Sequence, residues 1–491
     1  NLPAEGYCIV YKRQGEDKSQ KKIDKPSITP ISANRDAQSD YLVTAQEAEV
    51  EPIAPVFVDF KRDMGISKMD NGIEVLYKRN TTNDLFELTY LYDFGNTTNK
   101  SLHLASSYME FLGTEEKSAE TIQRELYDLA CSFNISVNGD STYVIISGLS
   151  ENMEKAMKIV DEYIANVEGD EDVLREVKSD TAQQRINAKS SQQSNFSALQ
   201  SYCLYGADYV SSRTLSNKEL QEITSDELLS HIKSLPSINH RIMYYGPATM
   251  TDIVASIYKA HTMKDNLTEL KSEVVPSKAV TKPNVLFAQY DAKQIYYLQY
   301  SNNEEKLDVA NDPYINLYNE YFGNGMNCIV FQEMREARAL AYAAMARLLE
   351  PEFKGDSYKY YAFIATQNDK MKTAIQAFDE IINDMPESET AFNIAKEALI
   401  TTLRTQRITG HNILYSYLDT RELGLTEHRS KKMYEVLQTL TLEDVKETQK
   451  TWVKGRTYHY GILGDIKDLD TKYLSTLGPV KTLTPEEIFG Y

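Results

Sequence analysis

Apolar and polar residues alternate from Leu85 to Phe94, putting Phe86, Leu88, Tyr90 and Tyr92 on one side, as in a half-buried strand. Lys293 to Tyr300 repeats the pattern. Farther along the period lengthens. Met153, Ala156, Met157, Val160 and Ile164 fall three and four residues apart, giving one apolar helix face, and Ala374, Ile375, Phe378, Ile381 and Ile382 do the same. Short apolar strands are predicted again over Arg241 to Tyr245 and Thr457 to Leu463. Strands followed by a run of helices predict an α+β fold: α/β sandwich domains, each a mainly antiparallel sheet with helices packed on one face.

The same order of elements occurs twice. Tyr108-Met109-Glu110-Phe111-Leu112-Gly113 returns as Tyr318-Asn319-Glu320-Tyr321-Phe322-Gly323, and Asp161-Glu162-Tyr163-Ile164 as Asp379-Glu380-Ile381-Ile382. Gln184-Arg185-Ile186 returns as Gln406-Arg407-Ile408, and Leu220-Gln221 with Thr224 as Leu437-Gln438 with Thr441. Four matches in one order identify two homologous domains of about 210 residues, expected at 57–270 and 271–491. The polar stretch 13–56, with Pro26, Pro30, Pro52 and Pro55, reads as an extended linker. Gly6 to Lys18 resembles the closing strand Gly455 to Lys467, so residues 1–12 are expected to be the terminal strand of a missing upstream domain. The start at Asn1, without Met or a signal-like segment, fits a chain cut from something longer.

Composition narrows the function without choosing it. The chain has 491 residues, and 53 Lys+Arg against 72 Asp+Glu leave a net charge of −19, which disfavours nucleic-acid binding through a basic face. No apolar run is long enough to span a bilayer. Cys8, Cys131, Cys203 and Cys328 lie far apart and read as core thiols. None of the seven histidines lies four residues from another, and no H-x-x-E-H, H-E-x-x-H, G-x-S-x-G or phosphate-binding Gly-rich loop occurs. The chain alone carries no recognisable catalytic centre.

Met109-Glu110-Phe111-Leu112-Gly113-Thr114 followed by Ser118-Ala119-Glu120-Thr121-Ile122 resembles a domain of the pitrilysin and insulin-degrading zinc metallopeptidases, the inverzincins. In catalytic members the five residues before that Met read H-x-x-E-H. Here they are Leu104-Ala105-Ser106-Ser107-Tyr108, so Leu104 and Tyr108 stand at the ligand positions and Ser107 at the general-base position. The family's third ligand, a Glu, falls near Gln183 and Gln184. His103 lies one residue out of register. This set does not suit zinc, which takes imidazole, thiolate or carboxylate donors.

The second copy resembles the family's other signature. Gly323 to Tyr342 follows its Gly-rich turn, helix and L-R-E-x-R-G-L-A-Y pattern, with Ala339 in place of the Gly. An Ala is less suited than Gly to a left-handed helix cap. The resemblance implies that Arg335 and Tyr342 reach into the active-site chamber from the non-catalytic half and hold the substrate backbone or oxyanion. From the residues alone, pairing of Arg335 with Glu336 or Glu333 and packing of Tyr342 remain the plainer alternative.

Carried over, the resemblance implies a C-terminal, non-catalytic half of a zinc metalloendopeptidase, inactive alone, that encloses a peptide chamber. No cofactor is expected in this chain; zinc is expected in an upstream catalytic half or a separate catalytic subunit, its partner beside the peptide substrate. A catalytically dead scaffold or peptide-binding protein of the same fold is the alternative. Relatives of this layout favour a periplasmic or exported location.

Overall fold

In the computed structural model, which describes residues 6–11, 19, 39–49, 51–264 and 266–491, the alternating segments become strands. In chain order they are β1 (Gly65–Lys68), β2 (Glu74–Arg79), β3 (Leu85–Tyr92), β4 (Cys131–Val137), β5 (Thr142–Leu149) and β6 (Arg241–Gly246), then β7 (Asn284–Gln289), β8 (Gln294–Ser301), β9 (Ala343–Leu349), β10 (Lys359–Gln367), β11 (His459–Gly464) and β12 (Val480–Leu483). They form two six-stranded sheets, ordered β1-β2-β6-β3-β5-β4 and β12-β7-β11-β8-β10-β9. From β2 and β7 onward the orders match position by position, as a tandem duplication requires. Most pairs are antiparallel, but β2–β6, β7–β11 and β7–β12 are parallel. A parallel pair needs a long crossover, and each domain's helices lie within it. The two sheets with their helices are the α+β arrangement expected from the alternating and helical periods.

The helices of each copy fill one face of its sheet. Leu102–Met109, Met153–Asn166 and Ser225–Ser234 close over Leu88, Tyr90, Val144, Ile146 and Ile242 in the first core. Asp312–Phe322, Met371–Asn383 and Leu442–Trp452 close over Val285, Tyr297, Ala362 and Ile462 in the second. Local chemistry sets their ends. Thr224 caps the 225–234 helix through a reciprocal box with Glu227, and the N–H and hydroxyl of its repeat partner Thr441 donate to Asp444 Oδ2 at 2.7 and 2.8 Å.

The opposite faces are covered by exchange. Strand residues whose side chains alternate to the other side, such as Leu286, Leu298 and Leu463 of the second sheet, pack against Phe196, Leu199 and Cys203 from Gln192–Tyr205, a helix of the first domain. In return Leu414 and Leu418 of Asn412–Glu422, a helix of the second domain, cover Leu76, Leu91 and Met243 of the first sheet. Gly461 lets the first helix approach closely: a Cβ there would lie 3.0 Å from Cys203 Sγ.

The copies differ at one edge. In the first, β1 precedes β2 and runs antiparallel to it; in the second, the corresponding place is taken by β12 from the chain's end, parallel to β7.

Two compact units are distinguished, Asn1–Ile53 and Ala54–Tyr491. In the first, Asp40–Glu47 is a helix where an extended linker was expected. Its periodicity is masked by a polar sequence. Of the expected terminal strand 1–12, residues 6–11 are exposed and belong to neither sheet, while 1–5 and 12 fall outside the described residues. Cys8 is exposed, contrary to its reading as a core thiol; Cys131, Cys203 and Cys328 are buried. Among the described residues no helix is long and apolar enough to cross a membrane.

Candidate functional site

The helix Leu102–Met109 carries the three degenerate motif positions. Leu104 is buried in the first core, Ser107 is half-buried, and Tyr108 is fully buried. The Tyr108 hydroxyl accepts from Asp170 N–H at 2.7 Å and lies 2.9 Å from Ser225 Oγ. Asp170 is the N-cap of the 171–189 helix, and Ser225 opens the 225–234 helix, so one phenol ties three helices together. Gln183 and Gln184 are exposed on the 171–189 helix, and Gln183 Nε2 donates to Asn187 at 3.1 Å. His103 points to solvent. A leucine, a serine, a phenol engaged in the core and two amides do not make a zinc set. Among the described residues no cluster of three or more His, Cys, Asp or Glu side chains could hold a metal ion.

Arg335 and Tyr342 are brought together. After a short α-turn, Ile329–Phe331, the chain widens into one turn of π-helix, Gln332–Ala337, before entering β9. Such turns are rare and favour functional positions. Ala339 then takes a left-handed φ of 49°, the conformation a Gly would adopt without strain, and Lys370 Nζ donates to its carbonyl at 3.1 Å. This reversal returns Tyr342 beside Arg335: the guanidinium lies 5.6 Å from the Tyr342 ring and 4.9 Å from that of Phe331. Arg335 Nε also lies 3.7 Å from Glu336, the plainer pairing considered for it. Tyr342 is 71% exposed, so it does not pack into the core. The neighbouring Arg338 is held instead, by Glu380 at 2.7 Å and Glu333 at 3.5 Å. The arrangement presents a guanidinium fork and a phenol to solvent, donors suited to a peptide carbonyl or an oxyanion.

One polar cluster escaped the sequence reading, because its members are far apart in the chain. Asp161 Oδ2 receives His261 Nδ1 at 2.7 Å, His261 Nε2 faces His240 Nε2 at 3.1 Å, and His240 Nδ1 donates to the Ile238 carbonyl at 2.9 Å. All three side chains are buried. Because His240 donates from Nδ1, its Nε2 is left to accept from His261 Nε2. Burial, followed by the neighbouring His261, pulls His240 down to about 3. The Tyr90 ring stacks on His261 at 4.0 Å. Spacing rules for metal or catalytic histidines within one helix could not reveal this set.

No family model matches the chain. A Rickettsia felis protein described as an uncharacterized zinc protease is 24% identical, over 66% of this chain and 80% of that protein. Among solved structures, a peptidase M16 inactive domain from Pseudomonas fluorescens superposes with a TM-score of 0.64 at 17% identity, covering 82% of this chain and 98% of that one. The periplasmic protease PqqL from Escherichia coli superposes with a TM-score of 0.63 at 14% identity, covering 85% of this chain but 47% of that one. The chain thus resembles pitrilysin-like (M16) zinc peptidases in sequence and has the fold of their inactive domain.

Proposed function

We propose that this chain serves as the non-catalytic half of a pitrilysin-type zinc metallopeptidase, enclosing a peptide chamber and presenting Arg335 and Tyr342 to the substrate. The observation carrying this reading is the exposed Arg335–Tyr342 pair at the end of a π-turn, together with a zinc-motif helix whose ligand positions are occupied by core-packing side chains. A match to about half of a longer periplasmic protease supports it. The zinc and general base would reside in a catalytic half or subunit bearing H-x-x-E-H. In the assembled enzyme the guanidinium and phenol would donate to the substrate backbone and, as the scissile carbonyl becomes tetrahedral, to its oxygen. An exported location is carried over from the same neighbour as part of this proposal.

The test combines this chain with its catalytic half and measures peptide hydrolysis. Arg335→Ala is expected to lower kcat/KM by about 100-fold, the range for removing one charge-stabilising donor, with the thermal midpoint unchanged. Tyr342→Phe should act in the same direction. Unchanged turnover in both variants would remove these residues from the reaction and leave the chain a scaffold.

A further inference from the structure

Each copy carries an aspartate at the same point of the helix that lies over its sheet, but only the first copy gives it a nitrogen base. Asp161 accepts from His261 Nδ1 at 2.7 Å and from the Thr262 N–H. Both donors come just after the helix Met250–Ala260, eleven residues long, which follows β6. In the second copy the helix after β11 is Thr471–Leu477, seven residues long, and the chain then turns at Gly478 into β12 at the sheet edge. The chain therefore supplies no counterpart of His261. Asp379 meets Gln299 Nε2 instead, at 3.4 Å, and has no ion pair among the described residues. Lys372, two turns earlier on the same helix, leans over the Tyr473 ring at 5.5 Å from its centroid.

The surroundings of Asp379 are rich in oxygen. Ladder register puts Gln299 where the first copy has Tyr90: Gln299 lies opposite Tyr460 as Tyr90 lies opposite Ile242. Tyr297 stands two residues back on the same face of β8, and Tyr360 on β10 lies opposite Ser301. Tyr297 Oη, Gln299 Oε1 and Tyr360 Oη are fully buried and have no hydrogen-bond partner among the described residues. Unpaired buried oxygens cost free energy, and a carboxylate without a counter-charge costs more. Burial first, and then the Asp379 charge, pushes up the phenols of Tyr297, Tyr460 and Tyr473; Tyr360 and Tyr458 feel the same charge. Five neutral phenols thus gather round one negative charge. Asp379 and Tyr473 are only half-buried, so the cluster reaches solvent.

We propose that Asp379, Gln299 and the phenol oxygens of Tyr297 and Tyr360 bind a monovalent alkali cation, sodium or potassium, between β8 and the helix Met371–Asn383. Hard cations take carboxylate, amide-carbonyl and hydroxyl oxygens as ligands. One carboxylate matches one positive charge, whereas a divalent ion would leave a half-buried excess and normally asks for more carboxylates. Water alone would serve the phenols but would not balance the carboxylate. The cation would play against Asp379 the part that His261 plays against Asp161. This site is separate from the Arg335–Tyr342 pair, and its occupancy needs no catalytic half.

The experiment uses the full chain in tetramethylammonium chloride, whose cation is too bulky for such a site, and replaces that salt with sodium or potassium chloride at constant ionic strength. At pH 7.5 the thermal midpoint should rise saturably with one or both metal ions, by at least about 2 °C, because a ligand bound to the native state alone stabilises it. Asp379→Asn, folded by its circular dichroism spectrum, should lose this rise. Asp384→Asn, which changes an exposed carboxylate at the end of the same helix, should keep it. At pH 4 the rise should vanish in the unaltered chain, because burial holds a proton on Asp379 up to about pH 6 and the proton takes the cation's place. Sodium-23 NMR gives a direct reading: the protein should broaden the sodium line at pH 7.5, and Asp379→Asn should abolish the broadening. Equal midpoints in the three salts would overturn the proposal and leave water around the phenols. A rise retained in full by Asp379→Asn, or lost equally in Asp384→Asn, would overturn it in favour of general screening.

Discussion

Asp161 and Asp379 occupy the same place in the two copies, on helices that pack against β3 and β8, yet their surroundings differ. Asp161 meets His261 and the Thr262 N–H; Asp379 has Gln299 Nε2 at 3.4 Å. Burial drives Asp379 up to about 6, with the Gln299 contact opposing the rise. Its folded value therefore lies above the unfolded 3.8, so the native state holds a proton that the unfolded state has released between about pH 4 and 6. Stability is lost as pH rises through that window, and the ionised carboxylate remains a cost at pH 7. Asp379→Asn should thus raise stability at pH 7 by up to about 3 kcal/mol, two pKa units of difference, with the gain vanishing near pH 4. Asp161→Asn should do the reverse, destabilising by about 1–3 kcal/mol because the buried His261 Nδ1 and the Thr262 N–H lose the carboxylate oxygen they share. Urea titrations of both variants at pH 7 and pH 4 check the signs; a shared sign would refute this account. The repeat made the two aspartates visible as equivalents, but sequence could not show that a histidine a hundred residues away reaches only one of them. Ala339 was legible as a departure, and it takes the left-handed φ that a Gly would adopt without strain. Ala339→Gly should add about 1 kcal/mol, measurable as a higher urea midpoint.

At the scale of elements, strands and amphipathic helices were readable because their periods survive in the sequence: β3 at 85–92 and β11 at 459–464 lie within or one residue beyond the segments expected. Three features were not readable. The π-turn at 332–337 has no period of its own within six residues. The edge strand β12 lies outside the repeat and pairs in parallel with a strand almost two hundred residues earlier. The exchanged helices showed apolar positions, Phe196, Leu199 and Cys203 in one and Leu414 and Leu418 in the other, but a helix face records only that it is buried, not against which sheet. That choice is made by the strands, whose two apolar faces ask for cover on both sides. Leu286 beside Val285 and Phe287, and Leu91 between Tyr90 and Tyr92, were signals of a doubly covered sheet.

Across Ala54–Tyr491 the exchange couples the domains. Neither sheet completes its burial within its own domain: the second needs 192–205, the first needs 412–422. A domain unfolding alone would strip the helix from its neighbour's outer face and expose Leu298 and Leu463, or Leu76 and Met243, all buried in the native state. At about 25 cal/mol per Å² of apolar surface, several such side chains amount to a penalty of several kcal/mol on any half-unfolded state. The two domains should therefore unfold as one unit. The chain holds a single tryptophan, Trp452, packed edge-on to Tyr358 at 5.0 Å in the second domain, so its fluorescence reports that domain alone. Ile146 is fully buried in the first core, on the face turned away from the exchanged helix. Ile146→Ala should cost about 2–5 kcal/mol. If the domains are coupled, the Trp452 transition in urea shifts to lower concentration together with the circular dichroism transition. A Trp452 midpoint that stays in place while the dichroism becomes biphasic would mean that each domain stands without the other's helix.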